Sequence, residues 1–397
     1  MSGLTRRCVL WPPLGRAGNS TGPDSARRPL GAIDRRTFLV AGAGMLCSPL
    51  PAAAQGPPHV VFLNPGEPVE RGRGPQWRMA ARFMAAAARV FRMNLEVLYA
   101  ERDHLLMLHQ AEEVAHRAQV PDYVIIVNEK LAAQQMLRTF EHSPAKVLLI
   151  HNDLTPEQRQ DIGNERERIR NWIGTVTTDD ASGSYRLMDD LFRQSGSREA
   201  RIIGITGDRN TPVSLARAEG VNNYVAKTGR GRILQLAFSD WSSADARRKA
   251  DVLLARYPET NIIWAANDSM ALGALSAVKA RGAPVLVGGT GGWEDALASV
   301  AEGGMAATVA THFFIGAWAI VMLYDFDRGH DFAAYGGPNQ KLDYMYVVNR
   351  SNVDQYRAAV FEYGELLDYS LYSKTIHPKP GPYEFSIERM VRRLAGP

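Results

Sequence analysis

Cysteine is nearly absent from this chain. Cys8 and Cys47 are the only two thiols in 397 residues, and both lie close to the N-terminus. Residues 55–397 have none, which excludes a disulfide scaffold, a cysteine nucleophile and a zinc–thiolate site there. Long apolar runs are missing too. The longest beyond residue 54, residues 313–324, is too short to span a bilayer. No H-E-x-x-H helix, G-x-S-x-G elbow or C-x-x-C pair occurs, and no other acid/base or nucleophile constellation has a telling spacing.

An excess of charge is also lacking once the N-terminal segment is set aside. The chain has 46 basic and 42 acidic residues. Residues 1–54 hold seven Arg and two Asp, so the remainder keeps 39 against 40. The basic pI therefore belongs to the N-terminal segment and does not point to nucleic acid or a membrane surface.

That segment has its own pattern. Asp34-Arg35-Arg36-Thr37-Phe38-Leu39-Val40 opens an apolar, Ala/Gly-rich stretch to about Leu50, and Pro51-Ala52-Ala53-Ala54 supplies small residues for cleavage after Ala54. It looks like a twin-arginine export signal, preceded by an unusually long n-region or by too early a start. Gly44-Met45-Leu46 is a poor lipobox for Cys47. Residues 1–54 are read as a cleaved signal peptide. The rest is expected to be a periplasmic protein with no membrane insertion.

Beyond it, apolar runs of strand length alternate with amphipathic ones, as in βαβ units around a parallel sheet. Strands are predicted over 59–64, 95–99, 123–128, 146–150, 173–180, 201–207, 233–238, 262–266, 285–288, 306–311 and 344–348. The stretch 153–171 is read as loop and surface helix. A Tyr-bearing tail over 349–397 wraps the first part of the chain or meets a partner; the residues leave both open.

The most telling run is Ala266-Asn267-Asp268-Ser269-Met270-Ala271-Leu272-Gly273-Ala274-Leu275, after the apolar Ile262-Ile263-Trp264-Ala265. It puts a carboxylate at the C-terminal end of a strand and the start of a helix, the edge where open α/β sheets bind ligands. It resembles the NDxMALGAL motif of the type I periplasmic binding proteins, the ribose/galactose-binding family, and of the related LacI-type repressors. No helix-turn-helix precedes it, which speaks against the repressors and against nucleic acid as a partner.

The resemblance implies an α/β fold of two Rossmann-like lobes with parallel sheets joined by three hinge crossings. The first lobe would hold 57–178 plus 312–345 and the second 179–311. Residues 346–397 would be the third crossing and a C-terminal extension. It also implies ligand contacts. Asp268, with Asn267 beside it, would accept hydrogen bonds from sugar hydroxyls in the cleft. Arg217, in Arg217-Ala218-Glu219-Gly220, matches the family's R-x-x-G arginine. Trp241 resembles a ring-stacking tryptophan of the galactose branch, and Trp77 follows the first βα loop, where the other stacking aromatic belongs. Asn128 and Asn152 end strands of the first lobe, and Thr311 stands where the ribose branch has glutamine.

Each has a structural alternative. Arg217 can be a surface ion pair, either tryptophan a core residue, and Asn128, Asn152 or Asp268 a helix cap. Two positions depart from the family pattern: His151-Asn152 replaces an Asp-Arg pair, and Val287-Gly288-Gly289-Thr290 replaces V-G-x-D with the loss of a carboxylate. Gly288–Gly292 lacks the lysine of a phosphate loop. His109, Glu112, Glu113 and His116 read as a solvated helix face, so neither cofactor nor metal is expected.

The expected function is capture of a small polar ligand, a sugar or sugar-like polyol, by a monomeric, non-enzymatic protein that presents it to an ABC permease. An alternative is a periplasmic sensor feeding a membrane histidine kinase or chemoreceptor. A remote alternative is a twin-arginine-exported enzyme.

Overall fold

The computed structural model describes residues 56–69, 74–387 and 389. The signal-peptide reading lies outside these residues.

The strands, in chain order, are β1 (His59–Asn64), β2 (Asn94–Tyr99), β3 (Tyr123–Val127), β4 (Lys146–His151), β5 (Trp172–Thr178), β6 (Ala200–Thr206), β7 (Gly231–Phe238), β8 (Ile262–Ala265), β9 (Leu286–Thr290), β10 (Ala307–Ala310), β11 (Asn339–Leu342) and β12 (Tyr346–Asn349). They form two six-stranded sheets, ordered β11-β5-β4-β3-β1-β2 and β12-β10-β9-β8-β6-β7. Every pairing is parallel except β12 on β10. The central strands read as unbroken apolar runs because helices cover both their faces: β3, Tyr-Val-Ile-Ile-Val, is buried at every position.

These are the two lobes of a type I periplasmic binding fold. The chain crosses between sheets after Thr178, after Ala310 and between Leu342 and Tyr346. β11, Asn-Gln-Lys-Leu, is not among the predicted strands. A polar edge strand with alternating burial carries little apolar signal.

The Met270–Leu275 run is explained by packing. Helix Asp268–Arg281 lies against helix Ser243–Arg256, and a methyl group on Gly273 would come within 2.1 Å of the Ser243 carbonyl oxygen. Glycine at that position lets the two backbones approach. The helix is capped by Asn267, whose side chain accepts from the Met270 N–H at 2.7 Å.

The tail wraps. After β12 joins the second sheet, helix Val353–Arg357 lies on helix Glu294–Ala301 of that lobe. The chain then returns to the first lobe, where residues 364–372 lie on helices Gln76–Phe91 and Ile315–Asp327. Glu365 accepts from Arg82 and Arg89, each at 2.9 Å. Phe385 stacks on Trp318 with ring centroids 4.5 Å apart. The buried Asp325 carboxylate accepts from the Ser373 hydroxyl (2.5 Å), the Lys374 and Thr375 N–H groups (2.7 and 3.0 Å) and the Tyr383 hydroxyl (2.8 Å). The tail is thus a fourth passage between lobes.

Candidate functional site

The carboxyl ends of the two sheets face one another across a small cavity of about 50 Å³. From the first lobe come Gln76, Trp77, Arg102, Glu129, His151 and Asn152. From the second come Thr211, Val213, Arg217, Trp241, Asn267, Thr290 and Trp293, and His312 follows the second crossing. Three indoles thus supply broad apolar faces around a small set of polar groups, the usual anatomy of a small-molecule site.

One buried network joins the lobes. The Trp77 and His151 rings lie 4.6 Å apart, and His151 meets His312 edge-on at 4.4 Å. His312 Nε2 is 2.9 Å from an Arg217 Nη, 3.0 Å from Thr178 Oγ1 and 3.1 Å from Asp180 Oδ1. Arg217 Nε donates to Asp180 Oδ1 at 2.8 Å, and its Nη1 donates to the Ala266 carbonyl at 2.6 Å. Thr178 also donates to Asp180 Oδ2.

The charges follow from this geometry. Burial opposes ionisation of Asp180, but the adjacent His312 and Arg217 outweigh it and hold the carboxyl far below its ordinary range. Burial, then the neighbouring His312, pushes His151 well below the usual histidine range, and burial lowers His312 despite Asp180. Arg217 and Asp180 therefore form a compensated pair beside two neutral imidazoles.

Several cavity residues carry buried polar atoms with no partner among the described residues: Gln76 Nε2, His151 Nε2, Asn152 Nδ2, Thr290 Oγ1 and Trp293 Nε1. Buried polar atoms are nearly always satisfied in folded proteins. Five orphans around one cavity are what a hydrogen-bonding ligand would satisfy. Backbone strain gathers at the same place. His151 and Trp241 have φ of 71° and 69°, a region costly for residues with a Cβ.

The sequence-derived candidates divide. Arg217, Trp241, Trp77, Asn267 and Asn152 come together around the cavity; Asp268, Asn128 and Thr311 do not line it. Asp268 is fully buried below it. Its Oδ1 accepts from the Thr308 hydroxyl at 2.6 Å and its Oδ2 from the Trp293 backbone N–H at 3.1 Å, with burial pushing its pKa up to about 7. It fastens the loop that carries Trp293, and it is not the helix cap. Asn128 donates to the Asp153 carbonyl (2.8 Å) and Gln158 Oε1 (2.7 Å) and accepts from Ala133 N–H (3.1 Å), so its side chain is spent on the scaffold. The Thr311 hydroxyl bonds the Ala310 and Tyr344 carbonyls within the hinge. Asn267 lines the cavity, yet it also donates to the Trp241 carbonyl at 3.1 Å.

Sequence reasoning missed Trp293, His151, His312, Gln76 and Glu129. An aromatic directly after Gly288–Gly292 was the available sign of Trp293. His109 pairs with Glu113 (3.7 Å) and His116 with Glu112 (3.8 Å) on an exposed helix face. Among the described residues no cluster of metal-ligating side chains occurs, and no helix is long and apolar enough to cross a membrane.

Comparison with known proteins accords with this geometry. The family model for the periplasmic binding protein domain matches residues 72–330. The crystal structure of a periplasmic sugar-binding protein from Pseudomonas fluorescens superposes with a TM-score of 0.73 at 31% identity, covering 84% of this chain and 99% of that one. The ribose import binding protein of Haemophilus influenzae is 31% identical over 140 residues, 35% of this chain and 47% of its own length. The D-allose-binding periplasmic protein of Escherichia coli is 28% identical over 175 residues, 43% of this chain and 56% of its own. The chain thus spans about half the length of these curated relatives.

Proposed function

The chain belongs to the periplasmic binding protein family, and from that premise we propose that it captures a neutral sugar or polyol between its lobes. The observation that carries this reading is the cavity itself. Its three indoles suit the faces of a sugar ring, and its orphaned polar atoms suit hydroxyls, which donate and accept. The hydroxyl–imidazole contact of Thr178 with His312 lies behind the cavity wall with the hydroxyl turned to Asp180, so we read the role as binding. The cavity is walled from both lobes. A ligand there touches both, so it favours their closure.

In this reading the N-terminal segment is a twin-arginine leader cleaved near Ala54, and the closed, liganded protein presents its cargo to an ABC permease. A sensor role would use the same cleft. The observation in its favour is the tail, which touches both lobes and so adds surface that reports their closure.

Calorimetry of the purified exported protein against D-ribose, D-allose, D-galactose, xylitol and myo-inositol tests the reading. We expect one-to-one binding of at least one of them. No binding of any at millimolar concentration would overturn it. Replacing Arg35 and Arg36 with lysine should hold the precursor in the cytoplasm.

A further inference from the structure

The turn after β3 is strained in an unusual way. Lys130 and Leu131, consecutive and neither of them glycine, have φ of 46° and 65°. Left-handed backbone at such residues costs roughly 1–2 kcal/mol each and persists only where the surroundings enforce it. Here they do. Asn128 is tied to Asp153, Gln158 and Ala133, and Gln158 Nε2 also donates to the Leu131 carbonyl at 2.8 Å. Gln158 is itself held in a capping box with Thr155. Lys130 is turned outward, its Nζ donating to the Arg102 carbonyl at 3.3 Å.

The turn presents Glu129. Its side chain lines the cavity and is only 9% exposed. Among the described residues, no group bonds to or pairs with its carboxylate. Unlike the orphaned atoms around it, its carboxylate oxygens are not sealed off, so they are open to a group inside the cavity. The carboxylate is also acceptor-only, whereas the orphaned Trp293 Nε1 can only donate. The cavity therefore offers an acceptor from the first lobe and a donor from the second. Arg217, also at the cavity wall, is already balanced by Asp180.

We propose that Glu129 is a specificity-determining residue of the cleft, its two oxygens accepting from a pair of neighbouring hydroxyls on a neutral ligand. This rests on the sugar or polyol reading above and narrows it. The ligand must carry O–H donors on the side that faces β3, and a carboxylate at that position is repelled. The strained turn is the means by which a strand-end side chain reaches the cavity.

The test compares the exported protein with Glu129→Gln and Lys130→Ala variants by calorimetry against the five neutral probes named above and D-galacturonate. Hydrogen bonds to a charged group are lost in Glu129→Gln. Affinity for whichever neutral probe binds the parent should therefore fall about ten- to a hundredfold, with the ligand-free melting temperature unlowered. Lys130→Ala, in the same turn but facing outward, should bind as the parent does. Equal affinity of the parent and Glu129→Gln overturns the assignment and leaves the polyol reading standing. Equal weakening by both variants also overturns it, because the effect then comes from the turn. If no neutral probe binds the parent, the reading and the assignment fall together.

Discussion

The Trp293 indole of the second lobe rests directly on Gly74 of the first: a methyl group on that glycine would fall 2.0 Å from two of its ring carbons. Trp293 cannot retreat easily, since it is almost fully buried and its backbone N–H is fixed by Asp268. This contact exists only while the lobes are together.

Gly74→Ala should therefore oppose closure. The backbone strain of alanine at φ +90° applies equally to open and closed forms, but the clash belongs to the closed one. Overpacking of this kind costs about 1–3 kcal/mol, so affinity should fall roughly five- to 150-fold. In small-angle scattering the variant should keep the larger radius of gyration at ligand concentrations that contract the parent. Parental contraction and affinity would refute the idea.

Asp268 is expected to matter for folding and pH response. Removing its carboxylate with Asp268→Ala orphans the Thr308 hydroxyl and the Trp293 backbone N–H, at about 1–3 kcal/mol each, so the ligand-free melting temperature should drop. Asp268→Asn keeps the shape and can bond both partners.

The asparagine variant isolates the pH effect. Asp268 has its pKa raised from 3.8 to about 7 by burial. The stabilisation from binding its proton is complete below pH 4 and is lost as the pH rises to about 7. His151 and His312, both lowered, act in the opposite sense and lose stability as the pH falls below 6.5. The melting temperature of Asp268→Asn relative to the parent should thus climb steadily from pH 4 to 7. A constant difference would count against an ionisable Asp268 in the fold.

These outcomes also mark where the sequence was legible. The βα rhythm reveals both sheets, because buried parallel strands are apolar throughout. Arg217, Trp241 and Trp77, which the resemblance implied as ligand contacts, line the cavity. Asp268, implied with them, does not: a strand-end carboxylate can turn toward the cleft or down into the hinge. What decides is Thr308, forty residues on. Glu129, next to the candidate Asn128, was not legible for a local reason: the strained turn at Lys130 and Leu131 changes which of two adjacent side chains meets the cavity, and no propensity foretells left-handed backbone at Lys-Leu. The tail was readable only as aromatic; that it closes on Asp325 depends on a buried charge in a helix otherwise taken as core.

Breaking the Arg217–Asp180 pair from one side should be severe. Arg217→Met leaves Asp180, only 3% exposed, without its compensating charge, a loss of about 3–5 kcal/mol. Adding Asp180→Asn should restore much of the stability in a denaturant titration while binding stays impaired, because the arginine also lines the cavity. If the second substitution recovers nothing, the two residues are not energetically coupled.

Asp325 should hold the tail. Its four accepted bonds join helix Ile315–Asp327 to residues 373–383. Asp325→Ala should lower stability by on the order of 3 kcal/mol and expose residues 363–380 to limited proteolysis. Unchanged protease resistance would show that the Trp318–Phe385 stack suffices alone.

The distribution of tryptophan has a practical consequence. Of seven in the chain, Trp11 precedes the described residues, Trp172, Trp264 and Trp318 are sealed in the lobe cores, and Trp77, Trp241 and Trp293 ring the cavity. The core trio provides a steady emission background, while a ligand that displaces water beside the cavity trio should shift their emission. The protein carries its own optical probe of the cleft, readable without a dye or a label.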